Sequence, residues 1–306
     1  MDKNINPQFP IYIPSKGRAK IRLTADYLDY CKVPYRLVIE PTQYKMYLDE
    51  VKDRKKLLVL DMSYKEKYDC LDKHGLSKST GPGPARNFIW DHSISEGHKW
   101  HWTMDDNILS FRRFNKNERI KVSDGSIFRA MEDFCLRYEN IAMAGPHYKM
   151  FVPPRAKRPP YILNTRIYSC NLIRNDVPFR WRGRYNEDTI LSLDMLTKKW
   201  CTVQFNAFLQ DKVITQALKG GNTDEFYHKE GKLKKGDKYA DTGTLAKSQM
   251  QVRIYPQYSR LTHRFGRIHH HVDYSSFKTN KLIRKKSWKP TGKINNYGMK
   301  LHKKED

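Results

Sequence analysis

The chain has 306 residues and a formal net charge of +25, from 58 Lys and Arg against 33 Asp and Glu. Hydrophobic content of 39%, with 12% aromatic residues, excludes a disordered chain, and so large a positive charge favours a polyanionic partner such as nucleic acid. Five scattered cysteines with no Cys-x-x-Cys pair argue against a disulfide framework or a cysteine-rich zinc site. With no apolar leader and no run of about 20 apolar residues, the expectation is a soluble protein of a reducing cytoplasm.

Residues 9–14 (F-P-I-Y-I-P) read as a buried strand running into the polar turn Ser15-Lys16-Gly17-Arg18, followed by a helix through Leu28. Residues 35–40 (Y-R-L-V-I-E) form a second strand that Pro41 stops, and residues 57–61 (L-L-V-L-D) a third. Strands separated by helix-length segments predict βαβ units, hence an α/β fold with a mostly parallel central sheet flanked by helices. Ligands of such sheets lie beyond the carboxyl ends of the strands. That rule puts Ser15, Lys16, Arg18, Glu40 and Asp61 where a nucleotide would lie.

Residues 81–90 (G-P-G-P-A-R-N-F-I-W) read as a glycine-rich approach to a helix. Gly81 and Gly83 permit close backbone approach, Pro84 suits a first turn, and Arg86 adds a charge that can pair with phosphate. An ordinary Gly/Pro loop with Arg86 on the surface is the plainer alternative. Residues 99–108 (K-W-H-W-T-M-D-D-N-I) read as a buried strand ending in Asp105 and Asp106. Two carboxylates there are costly unless something positive meets them, and a divalent cation such as Mg2+ or Mn2+ is one answer. A solvent-facing D-D-N turn is another.

Residues 111–119 read as a basic surface loop, 126–138 as a helix and 141–145 as a strand. Residues 151–160 carry Arg155, Lys157 and Arg158 among four prolines, so a basic irregular loop is expected. After a strand at 167–173, residues 179–184 (F-R-W-R-G-R) set Arg180, Arg182 and Arg184 around Trp181. That composition suits stacked bases and held phosphates, or equally a solvated basic turn. Residues 185–189 (Y-N-E-D-T) open a helix with Ile190, Leu191, Leu193 and Leu196 on its apolar side. Glu187 and Asp188 in its first turn suit the helix dipole, and they also suit a general base beside the sheet's ligand-binding end. Residues 200–209 read as the last strand of this unit.

Residues 220–243, rich in Gly and Lys, read as a mobile basic loop or lid, and 244–255 as a helix leading into a strand. The run His269-His270-His271 would make a polar loop, a pH-sensitive patch, or one imidazole ligand completing a carboxylate metal site. Residues 276–306 read as a basic tail behind a main domain spanning 1–275.

Taken in order, I-Y-I-P-S-K-G-R, G-P-G-P-A-R-N, M-D-D-N and N-E-D-T resemble the GT-A glycosyltransferases, in the pattern of their inverting family 2. The P-S-K-G-R strand, the M-D-D-N motif and the late H-H-H-V-D-Y element are most similar to the TET-associated glycosyltransferases of bacteriophages, across roughly residues 9–275. The resemblance implies a GT-A-like fold and a metal-dependent, inverting transfer from a UDP-sugar to 5-hydroxymethylcytosine in DNA, in the host cytoplasm. It implies that Asp105 and Asp106 hold Mn2+ or Mg2+ on the donor diphosphate, with His270 or a neighbouring histidine completing the shell. Ser15, Lys16, Arg18, Glu40, Arg86 and Asp105 would surround the nucleotide, and Asp188, or second Glu187, would take the acceptor's proton. A DNA acceptor accounts for the charge of +25, and Arg155, Lys157, Arg158, Arg180, Trp181, Arg182 and Arg184 are its candidate contacts. Competing readings are a GT-A transferase with a protein or glycan acceptor, a non-catalytic nucleic-acid-binding protein, and a metal-dependent nuclease.

Overall fold

The computed structural model describes residues 5–155, 157–213, 244–264 and 267–289. Four short apolar strands, β1 (Ile11–Pro14), β2 (Arg36–Ile39), β3 (Leu57–Val59) and β4 (Trp100–Met104), lie parallel in the order β3-β2-β1-β4. The chain steps outward from β1 to β2 and β3, then returns across β1 to lay down β4. This reversal opens a crevice at the carboxyl ends of β1 and β4, the switch point where α/β sheets bind ligands. Residues 15–18 leave one of those ends and residues 105–107 leave the other.

Past β4 the sheet becomes mixed. β9 (Cys170–Arg174) runs antiparallel to β4 and to β7 (Ile141–Tyr148). β10 (Cys201–Lys212) lies parallel to β7 and antiparallel to β8 (Tyr161–Leu163) and β5 (Ile108–Asn115), and β6 (Glu118–Lys121) completes a hairpin with β5. This hairpin replaces the basic surface loop expected at 111–119. Ile108, Ser110 and Phe111 are buried and Phe111 packs edge-on against Phe128 at 4.9 Å, while Arg112 and Arg113, the charges that had suggested a loop, are half-buried in the strand.

Helices α1 (Leu23–Tyr30), α2 (Tyr44–Val51), α3 (Ser63–Glu66), α4 (Gly83–Ser95), α5 (Ser126–Cys135), α6 (Glu187–Thr197) and α7 (Thr244–Ile254) flank the sheets. α5 is amphipathic: Ile127, Phe128, Met131 and Cys135 recur at helical spacing and are all buried beside Trp102 and Phe111. α6 is buried along most of its length, Thr189 and Ser192 included, with Ile190, Leu191, Leu193 and Leu196 at most 1% exposed, so it runs through the interior and fixes its first turn firmly. Each such apolar side chain contributes roughly 1.5–3 kcal/mol by leaving water. Gly83 is required at the start of α4 because a Cβ there would sit 1.9 Å from the Tyr68 hydroxyl, which donates to the Gly183 carbonyl at 2.9 Å. The close approach that this glycine permits is therefore to a tyrosine of the protein's own core.

Three further differences from expectation matter. β10 runs three residues beyond Leu209 to Lys212, with a bulge between Asp211 and Lys212. The three histidines lie in a strand, β12 (Arg267–Val272), paired with β11 (Ser259–Arg264). The first part of the expected tail packs on the domain: Phe277 is buried and Asn280 donates to the carbonyls of Leu196 and Trp200. The lid expected at 220–243 lies outside the described residues. All five cysteines are buried free thiols, and among the described residues no helix is long and apolar enough to cross a membrane.

Candidate active site

A cleft of about 1010 Å³ opens at the switch point. Its floor forms where β4 ends. Thr24 on α1 accepts from the Ile108 amide and donates through Oγ1 to the Asp105 carbonyl at 2.6 Å, while the Asp105 amide donates to the Ser169 carbonyl at 2.7 Å. These bonds hold the turn so that both carboxylates reach the cleft.

Each carboxylate oxygen meets a donor. Asp105 Oδ1 accepts from Arg86 Nη2 at 2.7 Å, and Oδ2 from Lys212 Nζ at 2.6 Å. Asp106 Oδ1 pairs with Arg18, and Oδ2 accepts from Ser15 Oγ at 2.9 Å. Burial alone would raise the Asp105 carboxyl, but Lys212 and Arg86 outweigh it and hold that carboxyl well below the usual range. For Asp106 burial wins over Arg18 and Ser15, and the shift is upward. Ser15 also shares a 2.8 Å hydrogen bond with Tyr47, whose hydroxyl accepts from the Arg18 amide, so the turn after β1 is braced against α2. Glu40, at the end of β2, pairs with Lys16 at 3.1 Å and with Lys65.

Arg86 projects from the first turn of α4. Besides Asp105 it reaches Glu187 Oε1 at 2.9 Å, and its guanidinium lies 4.6 Å from the Trp181 ring centre. Burial raises Glu187, opposed by Arg86 and reinforced by Asp188. Asp188 lies one residue further into α6 on the same cleft and accepts from the Thr189 amide at 2.7 Å. Opposite stands Arg166, stacked 4.4 Å over Tyr168, whose positive form is stabilised by Asp188 against the effect of burial. Sequence reasoning missed Arg166, Lys212, Ser169 and Tyr47. Lys212 could have been found by extending the last strand to the D-K pair that ends it.

The residues expected to meet DNA divide. Trp181 is 1% exposed beneath Arg86, and so offers no face to a base. Arg184 is fully buried: it pairs with Asp72 at 2.6 Å and donates to the carbonyls of Gly75 and Ser79, pinning residues 72–79. Both are parts of the frame, and burial is what composition could not reveal. Arg182 pairs with Asp194 at 2.6 Å, and the more exposed Arg180 with Asp91 at 2.8 Å. Arg155, Lys157 and Arg158 are exposed on their loop.

A divalent cation on Asp105, Asp106 and His270 would have to share or displace the donors that these carboxylates already hold. All four Asp oxygens are already engaged, three by cations. Among the described residues no three His, Cys, Asp or Glu side chains gather as a metal site. His270 lies in the field of Lys247, Arg166 and Asp188, and burial followed by those two cations lowers it to about 3, so its ring is neutral, the form in which imidazole can also accept a ligand bond. Its Nδ1 is buried without a partner among the described residues.

A switch-point cleft in a mixed α/β sheet, floored by paired carboxylates and walled by basic side chains, places the protein in the GT-A-like α/β class. Residues 9–221 match the sequence model of the TET-Associated Glycosyltransferase family, and the chain belongs to that family. It is therefore a glycosyltransferase, and the family supports action on modified DNA. No curated protein matches the chain.

Proposed function

We propose that the protein transfers a sugar from a nucleotide-sugar donor, UDP-linked by family analogy, to the hydroxymethyl group of 5-hydroxymethylcytosine in duplex DNA. The observation that carries this reading is the shared cleft, which Arg86, Lys212, the residues after β1 and Asp188 at the start of α6 all line. The acceptor oxygen attacks the anomeric carbon as the bond from that carbon to the diphosphate oxygen breaks. The electron pair leaves with the nucleoside diphosphate, and the acceptor's proton passes to the Asp188 carboxylate. Glu187 is committed to Arg86, which leaves Asp188 as the better base. A single displacement of this kind inverts the sugar carbon. Fixed cations facing the leaving group stabilise its charge in the transition state.

The exposed loop bearing Arg155, Lys157 and Arg158 and the charge of +25 support a DNA acceptor. Buried free thiols suit a reducing cytoplasm, and that of a phage-infected cell is the setting we propose. The test is mass analysis of nucleosides from 5-hydroxymethylcytosine duplex incubated with UDP-glucose, UDP-galactose and UDP-N-acetylglucosamine, in Mn2+ and in EDTA. A gain of one sugar, lost in Asp188→Ala, is expected. No gain with any donor would move the acceptor elsewhere.

A further inference from the structure

We propose that Lys212, together with Arg86, provides the positive charge on the donor diphosphate that a divalent cation would otherwise provide, so that donor binding needs no metal. The inference rests on the glycosyltransferase reading above and deepens it. It starts from the end of β10, where the bulge between Asp211 and Lys212 sends the lysine into the cleft. There its ammonium lies 2.6 Å from Asp105 Oδ2 and 2.8 Å from Ser169 Oγ, with the side chain 15% exposed. Anchored in this way it is a fixed point charge beside the carboxylate that would otherwise bind a metal. Burial disfavours its charged form, and Asp105 more than restores it.

Arg86 is the second part. Its two Nη atoms are engaged by Asp105 and Glu187, while its Nε is buried with no partner among the described residues. A buried guanidinium with an unused N–H is costly unless a ligand or water accepts from it. The lining as a whole agrees, since eight Lys and Arg side chains, leaving aside the buried Arg184 with its own partner Asp72, meet six Asp and Glu, a net positive cleft before any ion is added. A diphosphate matches that surplus. A divalent cation does not, and to reach Asp105 it would have to displace the Lys212 ammonium from its partner.

The test uses the full-length protein and isothermal titration with UDP, with ADP, GDP, CDP and dTDP in parallel, in EDTA and again in Mn2+. Water-proton relaxation in the same samples reads whether Mn2+ binds the protein. The best-binding diphosphate is expected to bind equally well in both conditions, with no protein-bound Mn2+. Lys212→Met should weaken it about tenfold or more, the loss of one charge-assisted hydrogen bond, while Lys212→Arg should retain most of the affinity. Should Lys212→Met fail to fold, the EDTA comparison on the wild type decides alone. Binding that vanishes in EDTA and returns with Mn2+ overturns this inference and leaves the glycosyltransferase standing, as does wild-type affinity in Lys212→Met. Absence of binding to every diphosphate, with and without metal, overturns both.

Discussion

Arg86 and Glu187, 101 residues apart in the chain, meet at 2.9 Å and tie the first turn of α4 to the first turn of α6. The other side of the same guanidinium reaches Asp105 at 2.7 Å, so one buried side chain fixes the end of β4 as well. Three elements that the sequence presents as separate motifs are joined at a single planar fork. Arginine suits this role because its donors are set in one plane and it stacks, as it does here on Trp181.

Arg86→Ala leaves Glu187 buried without its cation, and breaking a buried pair on one side costs about 3–5 kcal/mol. The expected result is a large fall in the urea unfolding midpoint together with loss of transfer. Arg86→Lys keeps the charge but cannot bridge both acids, and should fall between the two. A wild-type midpoint for Arg86→Ala would show that the bridge does not hold the cleft together.

The two acids that open α6 should separate in their effects. Asp188→Asn removes the proposed base while keeping shape, so kcat should fall by about 10²–10⁴, the usual reach of general base catalysis, with little change in melting temperature. Glu187→Gln loses a charged partner of Arg86 and should cost about 1–3 kcal/mol of stability, with a smaller effect on kcat. Rates and thermal melts of both variants check this. The reverse pattern would transfer the base role to Glu187.

Much of this was legible in the chain because the relevant signals are local. The apolar runs of β1, β2 and β4 end abruptly in polar turns, so the switch-point residues Ser15, Arg18, Asp105 and Asp106 could be placed without coordinates. Lys212 could not, because a charged D-K pair after F-L-Q reads as loop, and strand pairing with β5 is what extends β10 that far. The β5–β6 hairpin was hidden in the same way by its arginines, which are half-buried in the strands. Arg184 and Trp181 were misplaced for a different reason: the partner that buries Arg184, Asp72, is 112 residues away, and composition carries no record of such pairings.

The Asp72–Arg184 pair makes a pH-dependent prediction. Burial raises the Asp72 carboxyl, but Arg184 outweighs it and the net shift is downward from 3.8. Between the lowered folded value and 3.8 the unfolded chain therefore binds more protons than the folded one, and stability falls as pH falls. The stabilisation is present in full above that range and is lost on acidification through it. Asp72→Asn should thus be less stable than wild type at neutral pH by about 3–5 kcal/mol, because the buried Arg184 keeps its two carbonyl partners but loses its anion. The gap should narrow as the pH drops below the carboxylate's ordinary value. Urea titrations at pH 7 and at successive steps below pH 3.8 follow the narrowing, and a gap independent of pH would mean that the pair carries no charge interaction.

The loop at 151–160 should behave oppositely to that buried pair. Arg155, Lys157 and Arg158 are exposed, so replacing all three with Ala should leave the melting temperature unchanged. If they lie against phosphates, each contact releases counterions, and the slope of log K against log salt changes by about 0.9 per contact on duplex DNA. The triple variant should therefore bind hydroxymethylated duplex more weakly at low salt, with a slope shallower by about 2–3. Fluorescence anisotropy across a salt series reads both quantities from one set of samples. Arg182→Ala supplies the contrast, because its guanidinium is already held by Asp194 and its loss should reduce stability more than the salt slope. An unchanged slope in the triple variant would place the DNA on another face, and the charge of +25 would then have to act through the remaining basic surface.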